Sequence, residues 1–125
     1  MSDELSGYYD PYPHPPLSAP LCVIGMAGAE AHTIAYQLAS MTGQPLVELD
    51  AQVAHQAGCS LASLYEQRGP GAWRALELRE LKRALTSGRP SIISLGDGAL
   101  LSQEARSLRQ KHARLICIER PLREL

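Results

Sequence analysis

An α/β fold, a parallel sheet of four strands with flanking helices in three layers, is what this chain predicts, on three observations. Short apolar runs recur at Leu21-Cys22-Val23-Ile24, Leu46-Val47, Ser91-Ile92-Ile93-Ser94-Leu95 and Leu115-Ile116-Cys117-Ile118, without the alternation of a half-exposed strand. The stretches between them place apolar residues at helical spacing. Glycine or a short polar residue punctuates nearly every junction. With 125 residues and 45% hydrophobic content, the chain supports one domain with a modest core.

Residues 1–20 hold Pro11, Pro13, Pro15, Pro16 and Pro20 with Tyr8, Tyr9 and Tyr12, which predicts an extended, disordered arm. The first strand runs into Gly25, and a helix is expected over 33–42, where Ile34, Leu38 and Met41 share a face and Gly43 marks the stop. The second strand leads into Glu48-Leu49-Asp50, two carboxylates at a strand's C-terminal edge, with Asp50 placed to cap the next helix. Such carboxylates can hold Mg²⁺ or accept a substrate hydroxyl, or serve simply as cap and solvated residue. Gly58-Cys59-Ser60 signals a cap for a short helix to Gln67, and Gly69-Pro70 opens a long helix to Ser87 with Gly88 as its stop. In that helix Arg74 and Glu77 share a face, as solvated ion pairs do. The third strand breaks into Gly96-Asp97-Gly98, a turn that lets backbone approach whatever occupies the strand ends. A helix from Ser102 to His112 and the strand 115–118 complete the order.

The nine residues Gly25-Met26-Ala27-Gly28-Ala29-Glu30-Ala31-His32-Thr33 sit at a strand-to-helix junction and have the form of a phosphate-binding loop stripped of its charged chemistry. The working pattern, G-x-x-x-x-G-K-[ST], uses glycine backbone to cradle phosphate, a Lys for the β/γ-phosphates and a hydroxyl for Mg²⁺. Aligned on Gly25, Glu30 stands for the second glycine, Ala31 for the Lys and His32 for the hydroxyl, with Thr33 one place later. At an effective dielectric of about 20, a charge pair about 4 Å apart is worth roughly 4 kcal/mol. Each ~1.4 kcal/mol is about tenfold in rate, so losing the Lys and gaining a carboxylate predicts a loss of at least several hundredfold. An ordinary Gly/Ala-rich turn is the alternative for these residues taken alone.

Six segments fall in register: G-M-x-G-A at 25–29, E-L-D at 48–50, G-x-S-L at 58–61, W-R-A-L-E at 73–77, G-R-P at 88–90 and G-D-G-A at 96–99. In them, over about residues 21–121, the chain resembles a shikimate kinase. The resemblance implies a P-loop kinase-like parallel sheet and, in an active member, ATP-dependent phosphoryl transfer to the 3-hydroxyl of shikimate with Mg-ATP. It implies that Asp50, as the catalytic residue, accepts shikimate hydroxyls, that Arg74 grips the carboxylate, and that Gly96 and Gly98 line the same pocket. Gly25, Gly28, Ala29, Ala31, His32 and Thr33 fall on the nucleotide-binding positions, and Glu48 on that of the Mg²⁺-associated Asp. Asp97 replaces the middle glycine of the family's turn. Family members continue beyond the strand matching 115–118 with a lid bearing a catalytic Arg and a further strand, so residues 21–125 are expected to form an incomplete domain lacking both. Arg120 and Arg123 are expected to be solvated terminal charges.

No Lys or Arg precedes Arg68, whereas residues 1–67 hold seven Asp or Glu; from 68 onward twelve Lys or Arg face six Asp or Glu. The acidic loop half opposes entry of a polyanionic nucleotide. A net charge of −1, with basic residues spread along helices, argues against nucleic acid. Without a signal segment or a run of about twenty apolar residues, the chain is expected to be soluble and cytoplasmic, with no membrane partner. Cys22, Cys59 and Cys117 are expected to be reduced and largely buried, and His14, His32, His55 and His112 are too scattered for zinc. Three functions are compatible with these residues. One is a catalytically impaired relative that binds shikimate or a similar carboxylate as a regulator or partner subunit. The others are a weak or unusual shikimate kinase and a non-binding structural module, with self-association through an exposed sheet edge predicted for the last.

Overall fold

A computed structural model describes residues 19–25 and 30–119. The expected arm, Gly28 and Ala29 of the loop, and Arg120 and Arg123 lie outside the described residues, the arm apart from its last two positions. Four parallel strands, β1 (Leu21–Gly25), β2 (Leu46–Glu48), β3 (Ile92–Ser94) and β4 (Arg114–Ile118), form one sheet in the order β2-β3-β1-β4. Cys22 stands beside Ile93 and Leu115, which fixes the register at the centre. Among the described residues β2 and β4 are the edges.

Alternation along the central strands divides the core into two clusters. On one face Val23 and Ile92 meet Ala31, Ala35 and Ala39 of α1 (Ala31–Thr42). On the other, Cys22, Ile93 and Leu95 pack with Leu49 of α2 (Leu49–Ala57), Leu81 and Leu85 of α3 (Leu61–Leu85), and Ala105 of α4 (Gln103–His112). Helices therefore cover both faces of the expected three-layer fold.

Of the residues that the apolar periodicity of α1 nominates, Ile34 and Leu38 pack half-buried against the sheet cluster, while the fully buried contacts come from alanines. The helix begins at Ala31 rather than 33, Met41 is 60% exposed, and alanines at 31, 35 and 39 face the sheet. Small side chains four apart let the helix backbone approach the strands closely, and their bulk is too slight to dominate an apolar pattern. Asp50 does not cap α2, because that helix starts one residue earlier with Glu48 at the N-cap and no side-chain cap bond. In α3, Ser60 Oγ accepts from the Ser63 N–H as the cap signal implied. Gly69 then interrupts it with φ 83° and ψ 174°, and Pro70 restarts the helix where its missing N–H costs nothing. The expected short helix and long helix are thus two arms of one kinked element, the second running through Leu85.

Two further expectations are corrected. Glu77 is 3% exposed, so its pair with Arg74 is no solvated couple. Of the strand cysteines, Cys22 is buried whereas Cys117, on the edge strand β4, is exposed; Cys59 is intermediate. No helix among the described residues is long and apolar enough to cross a membrane.

Candidate functional site

Because the strands are parallel, β1, β2 and β3 deliver their C-terminal residues Gly25, Glu48 and Ser94 to one edge of the sheet, where a cavity of about 330 Å³ opens. Ligands of open α/β sheets bind at this edge, outside the carboxyl ends of the strands. Asp50, in the first turn of α2, and Gly96, just after β3, line this cavity with Asp97. A Cβ added at Gly96 would lie 2.8 Å from both Asp50 carboxylate oxygens, so the absence of a side chain at 96 is what lets Asp50 occupy its place. Asp50 Oδ1 is buried and has no hydrogen-bond partner among the described residues. Burial raises the Asp50 pKa above its ordinary value, the Asp97 carboxylate raises it further, and the Arg74 guanidinium partly offsets both.

Arg74 lies on the second arm of α3, against Gly98 on the neighbouring loop, where any Cβ would run into its guanidinium. Its Nη1 donates to Glu77 Oε1 at 2.7 Å, and its guanidinium carbon sits 5.3 Å from the centre of the Trp73 ring. Trp73 is met edge-on by Tyr65 from the first arm, with ring centroids 6.0 Å apart. Glu77 is itself pushed above its ordinary pKa by burial, opposed by Arg74. The buried carboxylate and the indole hold a half-exposed guanidinium in place. Arg74 and Gly98 line a second, adjoining cavity of about 460 Å³, so the turn 96–98 separates Asp50 from Arg74 instead of placing all four residues in one pocket.

The phosphate-loop side is differently furnished. Ala31 and His32 line the first cavity, whereas Thr33 is exposed and is not part of its wall. His32 Nε2 lies 3.4 Å from Glu48 Oε1, joining the residue at the hydroxyl position to the one at the metal-associated position. The described wall carries carboxylates at Glu48, Asp50 and Asp97 and no Lys or Arg. These described side chains set like charge against a nucleotide polyphosphate and offer it no Lys or Arg. For a divalent ion, Glu48 could offer one oxygen, but among the described residues no three His, Cys, Asp or Glu side chains converge on one point.

Of the residues that sequence reasoning nominates, the structure brings Gly25, Ala31, His32, Glu48, Asp50 and Gly96 to the first cavity and Arg74 and Gly98 to the second. Sequence reasoning missed Trp73 and Tyr65 as supports of Arg74 and Glu77 as its buried anchor. The signal for the first lay in the single Trp standing beside the nominated Arg.

A shikimate kinase family model matches residues 28–125. Shikimate kinase of Rhodococcus jostii (strain RHA1) is 38% identical over 90 residues, covering 72% of this chain and 53% of that protein. That of Thermobifida fusca (strain YX) is 36% identical over 91 residues, covering 72% and 52%. The chain thus spans about half the length of these curated relatives. Among solved structures, shikimate kinase from Acinetobacter baumannii in complex with shikimate superposes with a TM-score of 0.79 at 20% identity, over 86% of this chain and 60% of that one. The Aquifex aeolicus enzyme gives 0.76 at 23% identity, over 84% and 62%. These two support the fold, while the family-model match and the sequence relatives carry the assignment: the chain belongs to the shikimate kinase family.

Proposed function

We propose that this chain binds shikimate, or a closely related polyhydroxylated carboxylate, and acts as a regulator or partner subunit with impaired phosphoryl transfer. The supporting observation is an asymmetry across one edge of the sheet. On the acceptor side Asp50 and Arg74 are each seated against a glycine of the turn 96–98. On the phosphate side, carboxylates line the described cavity wall without a Lys or Arg. A ligand reaching across the turn 96–98 from one cavity into the other meets both groups: the Asp50 carboxylate, whose Oδ1 lacks an internal donor, accepts a ring hydroxyl, and Arg74 offers the N–H groups not given to Glu77 to the ligand carboxylate. Ala31 supplies no counter-charge for a transferring phosphoryl group, and such charge stabilisation is most of what protein contributes to that reaction.

A slow ATP-dependent shikimate kinase is the second reading, favoured by the raised pKa of Asp50, since a carboxylate of higher pKa is the stronger base toward a hydroxyl. Calorimetry separates the two. Shikimate injected into the protein in Mg-ATP should give a single saturating heat, unchanged when ATP is left out. Sustained heat that requires ATP would establish turnover and overturn the impaired reading, and no heat under either condition would overturn both.

A further inference from the structure

A third cavity, of about 300 Å³, lies at the opposite end of the strands, between the entry to β2, the C-terminal half of α3 and the segment leading into β3. We propose that it binds a free α-amino acid in its zwitterionic form. One wall carries Glu80, which is 3% exposed although it bears a carboxylate. Its Oε2 has no hydrogen-bond partner among the described residues. The nearest cations are Arg79 Nε, 3.6 Å from Oε2, and Arg83 Nη1, 3.5 Å from Oε1, both too long for hydrogen bonds. A buried carboxylate oxygen without a donor is costly, and native structures supply one from protein, water or ligand.

The cationic half of the wall is equally unfinished. Arg83 and Arg89 both line the cavity and both are exposed, and Arg89 has no ion-pair partner among the described residues. Glu80 and Arg83 are three apart on α3, hence side by side on one helix face. An α-amino acid presents an ammonium and a carboxylate from the same carbon, so it suits a wall where a carboxylate whose cations stand beyond hydrogen-bond distance neighbours guanidinium forks. Val47, Ala84, Pro45 and Pro90 supply apolar surface for its side chain. A simple anion would satisfy the arginines and leave Glu80 without its donor.

Titration calorimetry of the full chain with L-alanine, L-leucine and L-phenylalanine, probes of rising side-chain volume, tests this. At least one is expected to saturate with Kd below about 1 mM. Its deaminated and decarboxylated analogues, isocaproate and isoamylamine in the case of leucine, are expected to bind roughly tenfold more weakly or worse. Glu80→Gln and Arg89→Ala should each produce a similar loss. Arg89 is exposed, so Arg89→Ala leaves the fold intact and carries the test even if Glu80→Gln fails to fold. Absence of saturable heat with all three probes, equal binding by either analogue, or unchanged affinity in Arg89→Ala would overturn the proposal.

Discussion

Gly96→Ala is the sharpest perturbation of the acceptor side. Its new Cβ would stand 2.8 Å from both oxygens of Asp50 and 3.1 Å from the carboxyl carbon. Ordinary contact begins at 3.4 Å, so the shortfall is 3.4 − 2.8 = 0.6 Å, and because both oxygens are equally close, rotating the carboxylate does not relieve it. The whole group must retreat. Retreat of a side-chain tip is inexpensive to the fold, and Gly96 is not at a positive φ, so the stability loss should stay under about 1 kcal/mol. The ligand, however, loses the acceptor at its designed distance. A hydrogen bond to a charged group contributes about 1.5–3 kcal/mol, which converts to a weakening of shikimate binding by roughly tenfold to a hundredfold. Titration calorimetry gives the affinity and urea denaturation the stability. Wild-type affinity in Gly96→Ala would refute the reasoning that Asp50 is held in place for the ligand, and a stability loss of several kcal/mol would mean that the turn is packed for the fold instead.

Removing the guanidinium with Arg74→Met should destabilise the chain by about 1–3 kcal/mol in urea denaturation, because Glu77 remains buried without its 2.7 Å donor. A neutral Glu77→Gln partner change should recover part of that loss in the double variant. The pH dependence follows from Asp50 and Glu77, whose folded pKa values lie above the ordinary 3.8 and 4.5. The folded chain holds those protons more tightly than the unfolded one, so their contribution to stability falls as pH rises from the ordinary values through the raised ones. Asp50→Asn should therefore be more stable than wild type at neutral pH and lose the advantage once pH drops below 3.8, as measured by thermal melts across pH. Burial pushes the Cys22 thiol up to about 12, so iodoacetamide at mildly alkaline pH should alkylate exposed Cys117 and half-buried Cys59 while sparing Cys22, read by peptide mass spectrometry.

The strands, the cap at Ser60 and the break at Gly69-Pro70 were legible because each is a local conflict or preference: an unalternating apolar run, a hydroxyl three residues before an N–H, a residue with no donor. The burial of Glu77 and Glu80 was not. Charge defaults to the surface in any pattern-based argument, and what overrides the default here is the company of arginines brought by helix geometry. The same limit hid the boundary at Leu49, since an acidic residue after a strand suits both a cap and a first turn. The separation of Gly96 from Gly98 into adjoining cavities depends on how far Arg74 reaches across the turn, a tertiary distance with no signature in sequence.

The alanine stripe of α1 constrains any attempt to return a cation to the loop. Ala31, the position that aligns with the missing Lys, is only 8% exposed and packs in the cluster with Val23 and Ile92. Ala31 also lines the first cavity, so Ala31→Lys would have to lay its aliphatic stem along that contact as its ammonium enters the cavity, or swing the first turn of α1 away from the sheet. Charge and fit are therefore set against each other at one residue. A longer side chain at position 31 gains access to the cavity only at the expense of the small-residue contact that seats α1 on Val23 and Ile92.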